Sequence, residues 1–285
     1  MSGSYYVPAE SKWPLVASIG LFFCALGGGL FILQGVPWLF LLGLLIIFYM
    51  FYGWFSNVVS ESRAGLYDAQ MDRSFRWGMS WFIFSEVMFF AAFFGALFYV
   101  RQFAVPWLAG EGDKGLAHML WPEFTAKWPV MTPPDAEQFQ GPNRLVDPWH
   151  LPLLNTILLV SSSFTLTWAH HALKKAQRGG VLLWMLVTIA LGLAFLYVQA
   201  YEYYEAYTEL GLTLHAGIYG ATFFILTGFH GLHVTLGTLI LIVIFVRVLK
   251  GHFSEDKHFG FEASAWYWHF VDVVWLGLFI FVYVV

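Results

Sequence analysis

Between Lys12 and Glu61 the chain carries no charged side chain. One bilayer crossing takes about 20 apolar residues. This run is long enough for two crossings, with only Gln34, Gly35, Val36 and Pro37 to turn between them. Apolar stretches of spanning length recur along the sequence, at about 14–33, 37–56, 77–100, 151–170, 181–201, 218–247 and 263–284. Backbone groups inside lipid must be satisfied within the segment, so stretches of this length read as helices. The expectation is an all-α integral membrane protein with seven transmembrane helices. Composition agrees: 59% of residues are hydrophobic and 11% are charged, where a soluble domain carries about 25% charged residues. Mean hydropathy is +0.66.

Several classes are excluded early. The formal net charge is −4 and no basic block is present, so nothing points to nucleic acid. The single Cys24 allows neither an intrachain disulfide nor a cysteine-cluster metal site. It reads as a small buried hydrophobe. The first apolar stretch is too long for a cleaved signal peptide and has one basic residue before it, Lys12, with no small-residue cleavage motif behind it.

Loop charge predicts orientation. With seven spans, one side holds the N-terminus and the connections 57–76, 171–180 and 248–262. That side carries Lys12, Arg63, Arg73, Arg76, Lys174, Lys175, Arg178, Arg247, Lys250 and Lys257. The other side has only Arg101, Lys114, Lys127 and Arg144, all in one loop. The positive-inside rule places the N-terminus inside and the C-terminus outside. The predicted organisation is a two-helix hairpin over 1–60 and a five-helix bundle over 61–285, with a long outer loop at 101–150. Pro106, Pro122, Pro129, Pro133, Pro134, Pro142 and Pro148 argue against long helices in that loop. Trp107, Trp121, Trp128 and Trp149 suit an interfacial position, where an indole is half wet.

Ionisable groups within spans need a local partner or a role. Glu86 lies roughly 15 Å beyond Arg76, near mid-bilayer, among Phe84, Val87, Met88, Phe89 and Phe90. It reads either as a proton-active carboxyl or as a protonated, hydrogen-bonded packing residue. His230 and His233, at i and i+3, share a helix face, and Gly228 and Gly231 beside them permit close approach. They read as haem or metal ligands or as polar contacts between helices. His269 and Asp272 have the same spacing and read as a proton-holding pair or as a lock between helices. At the inner interface, Trp54, Glu61, Arg63, Arg247, Lys250 and His252 could anchor the spans or hold anionic lipid headgroups. Two further functions compatible with these residues are a transporter relaying protons through Glu86, His233 and Asp272, and a cytochrome binding haem through His230 or His233.

Four segments carry a family resemblance: FRWGMSWFIFSEVMFF (75–90), LPLLNTILLVSSSFTLTWAHHAL (151–173), GFHGLHVTLGTLIL (228–241) and HFGFEASAWYWHFVDVVWL (258–276). Together they resemble subunit III of the A-type haem–copper oxidases, in the cytochrome c oxidase branch. The resemblance implies that helices 1–2 are splayed from a helix 3–7 bundle, with phospholipid in the cleft. It implies an accessory subunit with no redox centre, beside subunits I and II, which hold the haems and copper and receive electrons from cytochrome c. Such a chain would hold structural lipid and stabilise subunit I and its proton-uptake entrance. The expectation is therefore no catalytic residue, no metal and no cofactor in this chain other than bound phospholipid. Glu86 matches the family's carbodiimide-reactive intramembrane glutamate. Trp54, Glu61, Arg63, Arg247 and His252 fall where the family contacts lipid headgroups. The long 101–150 loop is similar to that of proteobacterial members, which implies a bacterial plasma membrane, with a cytoplasmic N-terminus and a periplasmic C-terminus.

Overall fold

The computed structural model describes residue 6, residues 10–112 and residues 116–285. Among them are seven helices long and apolar enough to cross a membrane. They are α1 (Trp13–Gln34), α2 (Trp38–Arg63), α3 (Ala69–Tyr99), α4 (Leu151–Lys174), α5 (Arg178–Thr208), α6 (Gly217–Leu249) and α7 (Phe259–Leu278). No strand occurs among the described residues. Two helices continue as π-helix, α3 through Val100–Ala104 and α7 through Phe279–Val284. The chain divides into two compact units, Met1–Gly78 and Met79–Val285.

The first unit is dominated by the α1–α2 hairpin. Gly35, at φ +70°, ends α1 in the left-handed region, which glycine enters without a Cβ penalty. Lipid is as apolar as leucine, so helices inside it associate through close packing and polar contacts. The hairpin uses close packing. A Cβ on Gly43 of α2 would lie 2.5 Å from the Cys24 backbone nitrogen and 2.7 Å from its Sγ. Gly27 meets the backbone of Phe40, and Gly53 meets the Trp13 ring. Cys24 is thus a packing residue opposite Gly43. Replacing Gly43 with Leu should force α1 and α2 apart at a cost of about 1–3 kcal/mol. A fall in the thermal midpoint of the detergent-solubilised protein would register this, and an unchanged midpoint would mean that the helices do not meet there.

In the second unit α7 is the most buried helix, with half of its spanning window inside the protein. Trp268 and Trp275 are both 0% exposed. A Cβ on Gly192 of α5 would lie 2.8 Å from the Trp268 ring, and one on Gly237 of α6 would lie 2.9 Å from it. Trp268 Nε1 donates to Ser162 Oγ of α4 at 2.9 Å. Trp275 Nε1 donates to Thr156 Oγ1, also on α4, at 3.0 Å. Thr165 and Thr188 share a hydrogen bond of 2.7 Å between α4 and α5.

The helix of α3 runs on to Leu108, so the connection to α4 begins later than the expected 101, and its described residues pack within the second unit. Val105, Phe124 and Val130 form a small core of their own. Trp128 packs against Tyr219 at the start of α6, with ring centroids 5.8 Å apart. The Asn143 amide donates to the Leu210 carbonyl in the α5–α6 connection at 2.9 Å. Arg101 Nη2 donates to the Val285 carbonyl at 2.8 Å. Trp268→Ala should empty the contact among four helices at a cost of about 3–5 kcal/mol. Trp268→Phe keeps the ring but strips Ser162 of its donor. In a proteolysis series, the order of resistance should be wild type, then Phe, then Ala. Equal resistance in all three would show that α7 is held elsewhere.

Candidate functional site

The expected polar set resolves into three separate arrangements in the second unit. In the first, α3 and α6 bring Glu86 and His233 together, with His233 Nε2 2.9 Å from Glu86 Oε2. His233 Nδ1 is 2.7 Å from the Phe229 carbonyl one turn earlier. A carbonyl can only accept, so Nδ1 carries a hydrogen. Nε2 and Oε2 therefore meet through one further proton, held on either the imidazole or the carboxyl. Aromatic rings surround the pair. Phe90 and Phe89 lie 5.0 Å and 5.9 Å from the His233 ring, and Tyr267 stacks at 6.3 Å. The two side chains are 11% and 21% exposed, so water has little access to that proton.

The second arrangement is His230, which turns away from His233 toward α7. Its Nε2 donates to the Val271 carbonyl at 3.1 Å, and its ring is packed against Trp275 and Phe195. The i,i+3 spacing thus sends the two imidazoles to different neighbours instead of converging them on one ligand. The third arrangement is His269 with Asp272. His269 Nδ1 is 2.6 Å from Ser163 Oγ on α4 and 3.7 Å from Asp272 Oδ2. This group ties α7 to α4, while Glu86 and His233 tie α3 to α6.

Reading the sequence helix by helix missed two clusters. Glu202 is 1% exposed and accepts a hydrogen bond from the Tyr283 hydroxyl at 2.6 Å. The predicted span ended at 201, whereas α5 runs to Thr208, so Glu202 was left outside the spans. One helical turn from it, Gln199 Oε1 accepts from Asn155 Nδ2 of α4 at 3.2 Å. The second cluster is His170, His258 and Glu262, whose ligand atoms lie within 4.8 Å of one another. The i,i+4 spacing of His258 and Glu262 was a visible signal, but His170 comes from another helix.

Most of the residues expected at headgroups lie at or just beyond helix ends, with Trp54 farther inside α2. In the first unit, Trp54 is 46% exposed and Arg63 sits in the last turn of α2. Glu61 accepts a hydrogen bond of 2.8 Å from the Tyr67 hydroxyl. Burial, then the neighbouring Glu61 carboxylate, pushes the Tyr67 phenol above its usual range. In the second unit, the Arg247 guanidinium lies 4.4 Å from the Phe253 ring centroid. It also abuts Gly260, where a Cβ would lie 3.0 Å from Nη1. Arg247 Nε is buried and makes no hydrogen bond among the described residues. The His252 amide donates to the Arg247 carbonyl at 3.0 Å.

Comparison with known proteins agrees with the resemblance drawn from the four sequence segments. A family described as Cytochrome c oxidase subunit III matches residues 3–108 and 134–285. The chain is 41% identical to the "Cytochrome c oxidase subunit 3" of Dasypus novemcinctus over 281 residues, covering 98% of this chain and 96% of that one. Proteins of the same name from Equus asinus and Gazella leptoceros are 39% and 40% identical, with the same coverage. With seven spanning helices and a match along almost its whole length, the chain belongs to the cytochrome c oxidase subunit III family.

Proposed function

We propose that this chain is the accessory, non-redox third subunit of a proton-pumping oxidase, which stabilises the catalytic subunit and carries structural phospholipid. Membership of the family makes it part of a multisubunit oxidase complex. The finer reading rests chiefly on the Glu86–His233 pair, a closed polar contact between helices under an aromatic cover. Other intramembrane imidazoles are engaged with the chain's own groups: His230 with a carbonyl and His269 with Ser163. Such contacts suit a scaffold better than a redox centre. Haem and copper chemistry would then be supplied by subunits I and II, with cytochrome c reaching this chain only through the complex.

Arg247 supports the lipid reading. Its position in the last turn of α6 suits a phosphate oxygen beside the basic helix end. His252 follows it, and Trp54, Glu61 and Arg63 offer a comparable interfacial set in the first unit. A bacterial plasma membrane with a cytoplasmic N-terminus is favoured by the loop charges. It is favoured too by residues 109–133, which lie outside the family match although the mammalian relatives align over nearly their full length.

Purification tests the central claim. The tagged chain should co-purify with haem-bearing partners; recovery of the folded chain free of them from the native membrane would overturn it. Glu86→Gln keeps the shape and offers His233 Nε2 an amide donor, but removes the shared proton. Initial oxygen consumption and proton pumping should both stay near wild type in the intact, lipid-replete complex. Abolished pumping would make Glu86 an obligatory relay and sink the accessory reading. Replacing Arg247 and His252 together with Ala should reduce phospholipid phosphorus in the purified complex and weaken retention of the subunit in detergent. Unchanged phosphorus and retention would count against headgroup binding at that helix end.

A further inference from the structure

One cluster has no part in the reading above. His170 lies in the penultimate turn of α4, His258 is the N-cap of α7, and Glu262 stands in the first turn of α7. Each spanning helix carries the chain across the membrane, so the end of α4 and the start of α7 belong to the same face as the α4–α5 and α6–α7 connections. Arg178 at the start of α5 links the two connections, since its Nη2 donates to the Leu249 carbonyl at the end of α6.

The distances have a pattern. Nε2 of His258 is 3.3 Å from Glu262 Oε1, and Nε2 of His170 is 3.6 Å from the same oxygen. Hydrogen bonds between such atoms are shorter, about 2.7–3.2 Å. Ligands about 2.0–2.1 Å from a tetrahedral zinc ion stand about 3.3–3.4 Å from one another. The two contacts match the edges of such a tetrahedron. Neither His258 Nε2 nor His170 Nε2 makes a hydrogen bond among the described residues.

The tautomer of His258 points the same way. Its Nδ1 is 3.1 Å from the Ser254 carbonyl, so Nδ1 carries the hydrogen. In the neutral form of that tautomer, the lone pair of Nε2 faces a carboxylate oxygen. Two electron-rich atoms in that position need a positive charge between them. A ring nitrogen donating to a carbonyl while the other faces the ion is the outer-shell arrangement found at metal-binding histidines. A single proton on His258 would draw one contact to hydrogen-bond length, whereas here two imidazoles stand off from the one oxygen. We infer that His170, His258 and Glu262 form a binding site for a divalent transition-metal ion, with zinc the best match. Two imidazoles and a carboxylate are a familiar zinc donor set, and they leave a fourth position for water.

The site is built to exchange its ion. The three side chains are 10–22% exposed, so the cluster is shielded but reachable. Lys174, one turn beyond His170, adds a positive charge that weakens affinity. Zinc has no redox chemistry. A bound ion would instead join the end of α4 to the start of α7, the helix that carries Trp268 and the His269–Asp272 pair. His170 is held for this by the Phe261 ring at 5.6 Å, and Phe261 itself is fully buried.

The purified, chelator-treated oxidase complex provides the test. It is dialysed to equilibrium against zinc sulfate, and zinc per complex is counted by mass spectrometry. Wild type should bind one zinc more than His170→Gln, His258→Gln or Glu262→Gln, and sites elsewhere in the complex cancel in that difference. Zinc should also raise the thermal midpoint of the wild type and leave that of the variants unmoved. Equal zinc counts in wild type and variants would overturn the site. If a variant fails to assemble, a density map of the zinc-equilibrated wild-type complex decides instead. A peak bonded to both Nε2 atoms and to Oε1 is expected, and a map without it overturns the inference.

Discussion

The second unit depends on a single indole. Trp268 is fully buried, lies against glycines of α5 and α6, and donates its N–H to Ser162 of α4. Lipid offers no water to drive these helices together, so their relative positions come from fit and from paired polar atoms. Gly192 and Gly237 make room for a ring that no other side chain at those points would admit. Fixing Trp268 fixes the rotation of α7. That rotation turns Tyr267 toward the Glu86–His233 pair, His269 toward Ser163 and Glu262 toward His170. The polar contacts of the bundle follow from the packing of one large side chain.

Two histidines then repeat one local device with different results. His233 places Nδ1 against the carbonyl of residue 229, and His258 places Nδ1 against that of residue 254, each four positions back. In both, Nε2 is left to face a carboxylate. At Glu86 the separation is 2.9 Å, which one shared proton fills. At Glu262 it is 3.3 Å, with a second imidazole 3.6 Å from the same oxygen, a space suited to a larger cation. Ring orientation is set locally by the backbone carbonyl. What the ring binds is set by distance to a group on another helix.

That division explains what the sequence disclosed. The spans were legible because 20-residue uncharged runs have few alternatives in water. Helix ends were less so: the third span was read from 77 and the helix begins at Ala69, and the fifth was read to 201 and the helix reaches Thr208. Polar residues there look like loop but extend the helix, and this hid Glu202. Pairs on one helix, His269 with Asp272, were visible by spacing. Glu86 was legible as a carboxyl in need of a partner, because its position lies near mid-bilayer. The division of the five polar residues into separate contacts was not legible, because it depends on how each helix is rotated. Nor was the approach of His170 to His258 and Glu262, which needs the α4–α7 crossing that Trp268 sets.

The two units solve the same problem by different means. The hairpin of α1 and α2 brings backbones close at Gly27, Gly43 and Gly53 and relies on contact area. The helices from α4 onward add hydrogen bonds across nearly every junction: Asn155 with Gln199 and Thr165 with Thr188 between α4 and α5, Ser162 with Trp268 and Thr156 with Trp275 between α4 and α7, and Tyr203 with Thr227 between α5 and α6. A polar pair tolerates little sliding, because moving either helix leaves a donor or acceptor unsatisfied in a medium that cannot replace it. Glycine packing fixes how closely two backbones approach, but it leaves no buried donor or acceptor to be matched. The second unit is therefore the one whose geometry is pinned closely enough to hold ionisable groups at set distances, and the Glu86–His233 pair and the His170–His258–Glu262 cluster both lie within it.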